Sequence, residues 1–188
     1  MSLEDATAAG WTLQVAHTSQ LETVVLAAAR ALLDEVFEGD FDDHDWEHSL
    51  GGIHALAWDD GELVGHAAVV QRRLLHGGRA LRTGYVEGVG VRADKRGLRH
   101  GLELMTAVHD VIRLSYEIGA LAATDEALPF YESLGWQLWR GPTYALTPGG
   151  VVRTPGEDGA VHVLPPPGGP ELDLDGDITA DWRDGDVW

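Results

Sequence analysis

The residues with the clearest capacity for chemistry lie in the run YVEGVGVRADKRGLRHGLELM, residues 85–105. A β-branched strand there carries one carboxylate, Glu87, flanked by Val86 and Gly88, and ends in a loop holding Arg92, Lys95, Arg96 and Arg99. A carboxylate inside a strand is costly unless it is paired or put to use. Glu87 is therefore either half of an ion pair with Arg82 or a neighbouring Arg, or a working group. The loop runs into an amphipathic segment, and a helix start of that kind offers unpaired N–H groups and the positive end of a dipole. With four cationic side chains added, it suits a pyrophosphate, although a solvated basic turn has the same pattern. The Walker pattern GxxxxGK[ST] is absent, and Gly88-Val89-Gly90 lies within the strand, so a GxGxxG dinucleotide fingerprint does not fit either. Those glycines instead allow a bulge or a close approach to the strand backbone.

Further acids stand at element ends. Asp40 follows Gly39 where a helix stops, and a carboxylate there opposes the macrodipole, which points to binding. Asp42, Asp43 and Asp45 suit the cap and solvated face of the next helix. His44 and His48 are four apart, but HDWEH is not HExxH and no third ligand is evident. Residues 171–182 (ELDLDGDITADW) mimic a calcium loop, yet Trp182 stands where the bidentate Glu belongs. No metal is expected. Residues 171–188 show no evident core pattern and end in Asp186-Val187-Trp188.

The elements that must position these groups read as follows. Residues 12–17 alternate as a short strand, and Ser19 to Glu22 read as a capping box opening a helix that ends at Gly39. IHALAWD (53–59), Asp60-Gly61 and ELVGHAAVV (62–70) form a hairpin. Gly77-Gly78 is a second turn, leading to a strand over 79–91. Leu98 to Tyr116 is helical, 120–124 a strand and 127–134 a helix with Pro129 near its start. Strands follow near 136–140 and 143–147, with a hairpin over 151–164. Strands first, then β-helix-β-helix-β, is an α/β or α+β pattern.

The 188 residues suit one domain, 1–188. Net charge is −18, which argues against nucleic acid as a partner. Residues 1–48 hold −10 and residues 171–188 hold −6, while 49–150 come to only −1. Such acid-rich ends suit a cationic ligand, or are a solvated surface. With no cysteine, thiolate chemistry is excluded. No apolar run is long enough to span a membrane, and Met1 to Gly10 lack the marks of a signal peptide, so a cytoplasmic protein is expected.

The order VEGVGVRADKRGLRHGLELM resembles the acetyl-coenzyme A motif of the GCN5-related N-acetyltransferases, the GNAT superfamily. The loop Arg96-Gly97-Leu98-Arg99-His100-Gly101 is similar to that family's [Q/R]-x-x-G-x-[G/A], with Arg99 where glycine is usual. Ala127 to Trp136 (ALPFYESLGW) resembles its A-x-x-[FL]-Y-x-x-x-G-[FW] segment. Residues 37–56, 67–94 and 178–188 resemble the aminoglycoside 2′-N-acetyltransferases in particular. The resemblance implies a GNAT acyl-CoA N-acyltransferase fold, a central mixed sheet flanked by helices. It implies acetyl-CoA as co-substrate, held by Val89, Val91 and the 96–101 loop, and a backbone N–H near Val89 as oxyanion donor. It makes Glu87 the base, acting through water on a substrate ammonium, and Tyr131 the acid for the thiolate. A phenol with an ordinary pKa of about 10 is able to serve so. Asp40, Glu87, Asp186 and the terminal carboxylate of Trp188 would then meet a cationic aminoglycoside in a cleft lined by the acidic tail, 171–188. A homodimer is expected too. A GNAT enzyme for another small amine, or a non-catalytic protein binding CoA or drug, are the alternatives.

Overall fold

The computed structural model describes residues 10–97, 99–124 and 126–188. The start that was read as lacking a leader, residues 1–9, and Leu98 of the phosphate loop lie outside the described residues. The chain forms two compact units, Met1–Val70 with Val86–Val111, and Gln71–Tyr85 with Ile112–Trp188.

In the first unit, β1 (Trp11–His17) pairs antiparallel with β2 (Ile53–Asp59), from Trp11↔Asp59 to His17↔Ile53. β2 in turn pairs antiparallel with the first part of β3 (Glu62–His76), from Ile53↔Val69, with a register shift at Ala57/Trp58. Asp60 and Gly61 join them with φ of 50° and 82°. Both central residues at positive φ make a type I′ turn, whose twist matches that of the strands. Helix α1 (Thr23–Val36) buries Ala29, Leu32 and Leu33. The capping box expected at Ser19–Glu22 is displaced. His17 and Gln20 cap a single 3-10 turn reciprocally, and Glu22 precedes α1 without a side-chain cap. The helix ends in a Schellman motif, Gly39 N–H to Asp34 O at 3.0 Å and Glu38 N–H to Glu35 O at 3.2 Å. Glu38, with φ 55°, occupies the left-handed position usually given to glycine. Helix α2 (Asp43–Ser49) has its own reciprocal cap, Asp42 Oδ1 accepting from His44 N and Asp45 N while Asp45 Oδ2 accepts from Asp42 N.

In the second unit, the remainder of β3 turns through Gly77-Gly78 into the first part of β4 (Arg79–Val91). Helix α3 (His100–Ser115) begins in the first unit and ends in this one. It leads to β5 (Ile118–Ala122), parallel to β4 with Thr83↔Ile118. Then come α4 (Leu128–Ser133), β6 (Gln137–Leu138), β7 (Thr143–Thr147), β8 (Gly150–Arg153), β9 (Val161–Leu164) and β10 (Ile178–Asp181). The strand order is β6-β9-β5-β4-β3-β10-β7-β8, a mixed sheet in an α+β chain. The expected 151–164 hairpin does not form, because β8 pairs with β7 while β9 pairs with β5 and β6.

The 171–188 segment, read above as lacking a core pattern, is built into this unit. β10 lies between β3, antiparallel with Ala180↔Leu74, and β7, parallel with Ile178↔Thr143. Ile178, Ala180 and Trp188 are buried. The calcium-like acids bind the chain instead. Asp175 takes both oxygens to Arg140 at 2.7 Å, and Asp181 accepts from Arg72 Nε at 2.8 Å and Arg73 N at 3.0 Å. No helix among the described residues is long and apolar enough to cross a membrane.

Candidate active site

Along β4, Thr83 to Val86 are buried in succession and Glu87, Gly88 and Val89 are half-buried in succession. Gly88 lies at φ +54° inside the strand. A Cβ there would also lie 3.0 Å from Ser49 Oγ and 3.1 Å from Leu33 Cδ1, so both conformation and space demand glycine. Gly90 has ordinary backbone but no room, with Leu33 and Val36 of α1 3.1 Å from its would-be Cβ. Gly88 thus stands in the left-handed region within a strand that continues to Val91, and just past it Arg92 N–H reaches Val64 O at 2.9 Å.

Beyond the strand, much of the basic segment is already neutralised. Arg92 pairs with Glu62 and Asp94, Lys95 with Asp59 at 2.7 Å, and Arg99 with Glu103 at 2.5 Å. The hydrogen bonds to these carboxylates, above all Asp94, raise the Arg92 pKa beyond its already high value. Further back, Arg72 pairs with Asp181 and Arg79 with Glu117. Arg96 is exposed and donates from Nε to Val91 O at 3.1 Å, with no carboxylate partner among the described residues. Gly97 follows at φ +73°. Helix α3 starts at His100, and Glu103 N–H bonds to Arg99 O at 2.9 Å, so the loop residues lead directly into a helix N-terminus, whose first N–H groups form the positive end of the dipole. The His100 side chain is buried, stacked on Trp11 at 5.9 Å and 14°, with neither ring nitrogen hydrogen-bonded. Asp40 is exposed just past the α1 cap, its N–H bound to Phe37 O at 2.9 Å.

In the second unit, Tyr131 on α4 is buried edge-on to Trp136 at 6.2 Å. Burial pushes its phenol up to about 12, so it stays protonated at neutral pH. Asp186 is exposed and accepts Trp188 N–H through Oδ1 at 3.1 Å. Trp188 itself is 4% exposed, its indole donating to Thr154 Oγ1 at 3.0 Å and its main-chain carboxylate oxygen accepting from Arg183 Nη2 at 2.9 Å. The structure thus brings Val91 to Arg96 and Asp186 to Trp188, and sets Glu87 and Val89 on either side of the left-handed Gly88.

Residues 19–139 match the family model described as the acetyltransferase (GNAT) domain. The chain is 52% identical over 94% of its length to the aminoglycoside 2′-N-acetyltransferase of Mycolicibacterium fortuitum, covering 92% of that protein. The chain belongs to the GNAT acetyltransferase family. The fold agrees. A GNAT family N-acetyltransferase (YhbS) from Escherichia coli, solved in complex with CoA, shares 20% identity and a TM-score of 0.62 over 94% of this chain and 93% of that one. Escherichia coli ElaA shares 22% and 0.58 over 82% and 99%.

What sequence reasoning missed in this acetyltransferase is a line of buried polar groups beside Gly88. His54 on β2 and His66 on β3 are fully buried, diagonal neighbours across the antiparallel pair. His54 Nδ1 and His66 Nε2 are 2.9 Å apart, His66 Nδ1 is 2.6 Å from Gly88 O, and His54 Nε2 is 2.8 Å from Thr18 Oγ1. Trp46 of α2 lies over both rings at 6.5 and 6.3 Å. Attention in the sequence went to His44 and His48 on α2, and His44 is exposed, 4.0 Å from Glu47. The only available signal was two histidines inside otherwise apolar strands, in IHALAWD and ELVGHAAVV.

Proposed function

We propose that this acetyltransferase moves an acetyl group from acetyl-CoA to the 2′-amine of an aminoglycoside, by direct attack of the amine on the thioester. The left-handed Gly88 within β4 carries the reading, since the strand backbone beyond it at Val89 and Val91 would take the pantetheine arm and leads into the basic loop ahead of α3. Arg96 and the N–H groups along Gly97, Leu98, Arg99, His100 and Gly101 would hold the pyrophosphate. The ion-paired state of Arg92 and Lys95 leaves Arg96 as the cation best placed for that task. When bound, acetyl-CoA supplies the activated acyl group.

The chain's own groups do the rest. Glu87 accepts a proton from the substrate ammonium, through water. Val89 N–H donates to the thioester oxygen as negative charge gathers there, where a fixed donor in a dry site has its largest effect. The new C–N bond forms as the C–S bond breaks; Tyr131, kept protonated by burial, gives its proton to the sulfur, and the proton shed by the new amide nitrogen restores the phenol. Asp40 and Asp186 receive the other ammonium groups of the drug with charge-assisted hydrogen bonds. The excess acid of residues 1–48 and 171–188 suits such a polycation. Residues 1–188 act as one functional domain. A homodimer, on the family resemblance alone, and a cytoplasmic location, on the sequence, complete the reading.

The deciding assay is thiol release from acetyl-CoA with kanamycin, beside a panel of other small amines. Glu87→Gln is expected to slow turnover most at low pH, and Tyr131→Phe to lose kcat with little change in binding. Wild-type kcat in both variants across pH overturns the mechanism, and turnover confined to other amines overturns the substrate.

A further inference from the structure

We propose that Thr18, His54 and His66 form a buried relay of fixed polarity that grips the Gly88 carbonyl and thereby aims the Val89 N–H. The oxyanion role of that N–H rests on the function proposed above. Polarity follows from one end. Gly88 O is a carbonyl and can only accept, so His66 Nδ1 carries a proton at the 2.6 Å contact. A neutral ring then has a bare Nε2, which must accept from His54 Nδ1 at 2.9 Å. His54 Nε2 is bare in turn and accepts from Thr18 Oγ1 at 2.8 Å, a nearer acceptor for that hydroxyl than Gly52 O at 3.2 Å. The Thr18 hydroxyl is oriented for this by accepting from Gly51 N–H at 2.9 Å. Burial keeps both rings neutral, pushing each pKa down to about 4. Every ring nitrogen in the line is used, and each ring carries its proton on Nδ1.

The consequence lies in the next peptide. Gly88 C=O and Val89 N–H belong to one planar trans unit and point in opposite directions. No peptide bond in the described chain is cis. A ring that fixes the oxygen from inside the unit therefore fixes the N–H to face the other way. The grip is needed because Gly88 sits at φ +54°, a conformation glycine can leave freely. Leu33 and Ser49 leave no room for a side chain at that position, so glycine is kept there and the imidazole sets the rotation of its carbonyl. His54 and Thr18 touch no reacting atom in this account. They are positioning residues, holding His66 in the tautomer that can donate.

The test has two independent parts. In the wild-type protein without substrate, 15N spectra of the side chains are expected to show both rings neutral with the proton on Nδ1. A His66 ring protonated on Nε2 overturns the relay. In turnover, on whichever amine the enzyme accepts, His66→Leu is expected to lower kcat by about 10- to 100-fold, the scale of a misplaced or lost oxyanion donor. The acetyl-CoA KM should change by less than about threefold. His66→Asn keeps an amide donor near the Nδ1 position and should recover most of the rate, whereas His66→Gln, with its donor near Nε2, should not. Equal rates in Asn and Gln variants of equal thermal stability overturn the proposal, even where His66→Leu does not fold. Glu87→Gln run in parallel separates the two readings, because a normal rate there removes the base while the tautomers and the Asn rescue still stand.

Discussion

Replacing Trp188 by alanine tests whether the end of the sequence is an anchor. The indole is 4% exposed and its N–H is bonded to Thr154 Oγ1 at 3.0 Å. A tryptophan side chain buries roughly 200 Å², which at about 25 cal/mol per Å² corresponds to ~5 kcal/mol. Compaction of the unfolded chain lowers this by about 10–40%, to ~3–4.5 kcal/mol, and the lost hydrogen bond adds ~1 kcal/mol. The total agrees with the ~3–5 kcal/mol typical of removing a buried tryptophan. For a chain of this size each kcal/mol moves Tm by about 2–4 °C, so Trp188→Ala should melt roughly 6–20 °C lower by circular dichroism. Trp188→Phe keeps the ring and should lose only a few degrees. An unchanged Tm in Trp188→Ala refutes the anchor. Aminoglycoside affinity, measured well below the variant's Tm, tests the separate substrate role. Wild-type binding there removes Trp188 from the proposed cleft.

Acid should destabilise the protein well above the carboxylate range. His54 and His66 are neutral when folded down to about 4 but titrate at about 6.5 when unfolded. Their contribution is therefore complete above pH 6.5 and is lost as pH falls from 6.5 towards 4, by roughly 3 kcal/mol per ring at most. Urea melts across that window check it, and a flat profile contradicts it. Arg96→Glu should raise the acetyl-CoA KM several-fold with little effect on the drug KM, and equal effects on both exclude the pyrophosphate role. Glu38→Gly removes a left-handed glutamate from the α1 cap and should raise stability by about 0.5–1 kcal/mol in the same melts.

Local chemistry was legible in the sequence, and distant pairing was not. Asp60-Gly61 and Gly77-Gly78 announced their turns because a two-residue hairpin needs positive φ, and β4 ran over 79–91 as read. β10 was hidden because Ile178–Asp181 is four residues long among acids, and its pairing with β7 and β3 lies far along the chain. β8 and β9 looked like one hairpin because each strand's true partner was invisible locally. Ser19 and Glu22 had the spacing of a cap, but His17 and Gln20 took the role one turn earlier. At the site, the helix start after Arg99 followed from pattern, whereas the pairing of Lys95 with Asp59 and of Arg92 with Glu62 depended on folding. The histidines escaped notice because β2 is buried at four successive positions, so no alternation distinguished an inward His from a tolerated one.

The place of β10 has a consequence during synthesis. The first unit has all its residues once Val111 has been added, so its hairpin and helices have every partner they need as the chain emerges from the ribosome. The second cannot join β3 to β7 until Ile178–Asp181 has been made. At about 5–20 residues per second, the span from Val111 to Trp188 takes roughly 4–15 s. During that interval β3 presents an unfilled edge at Leu74 and Leu75, and a nascent chain in this state is exposed to strand addition by its neighbours.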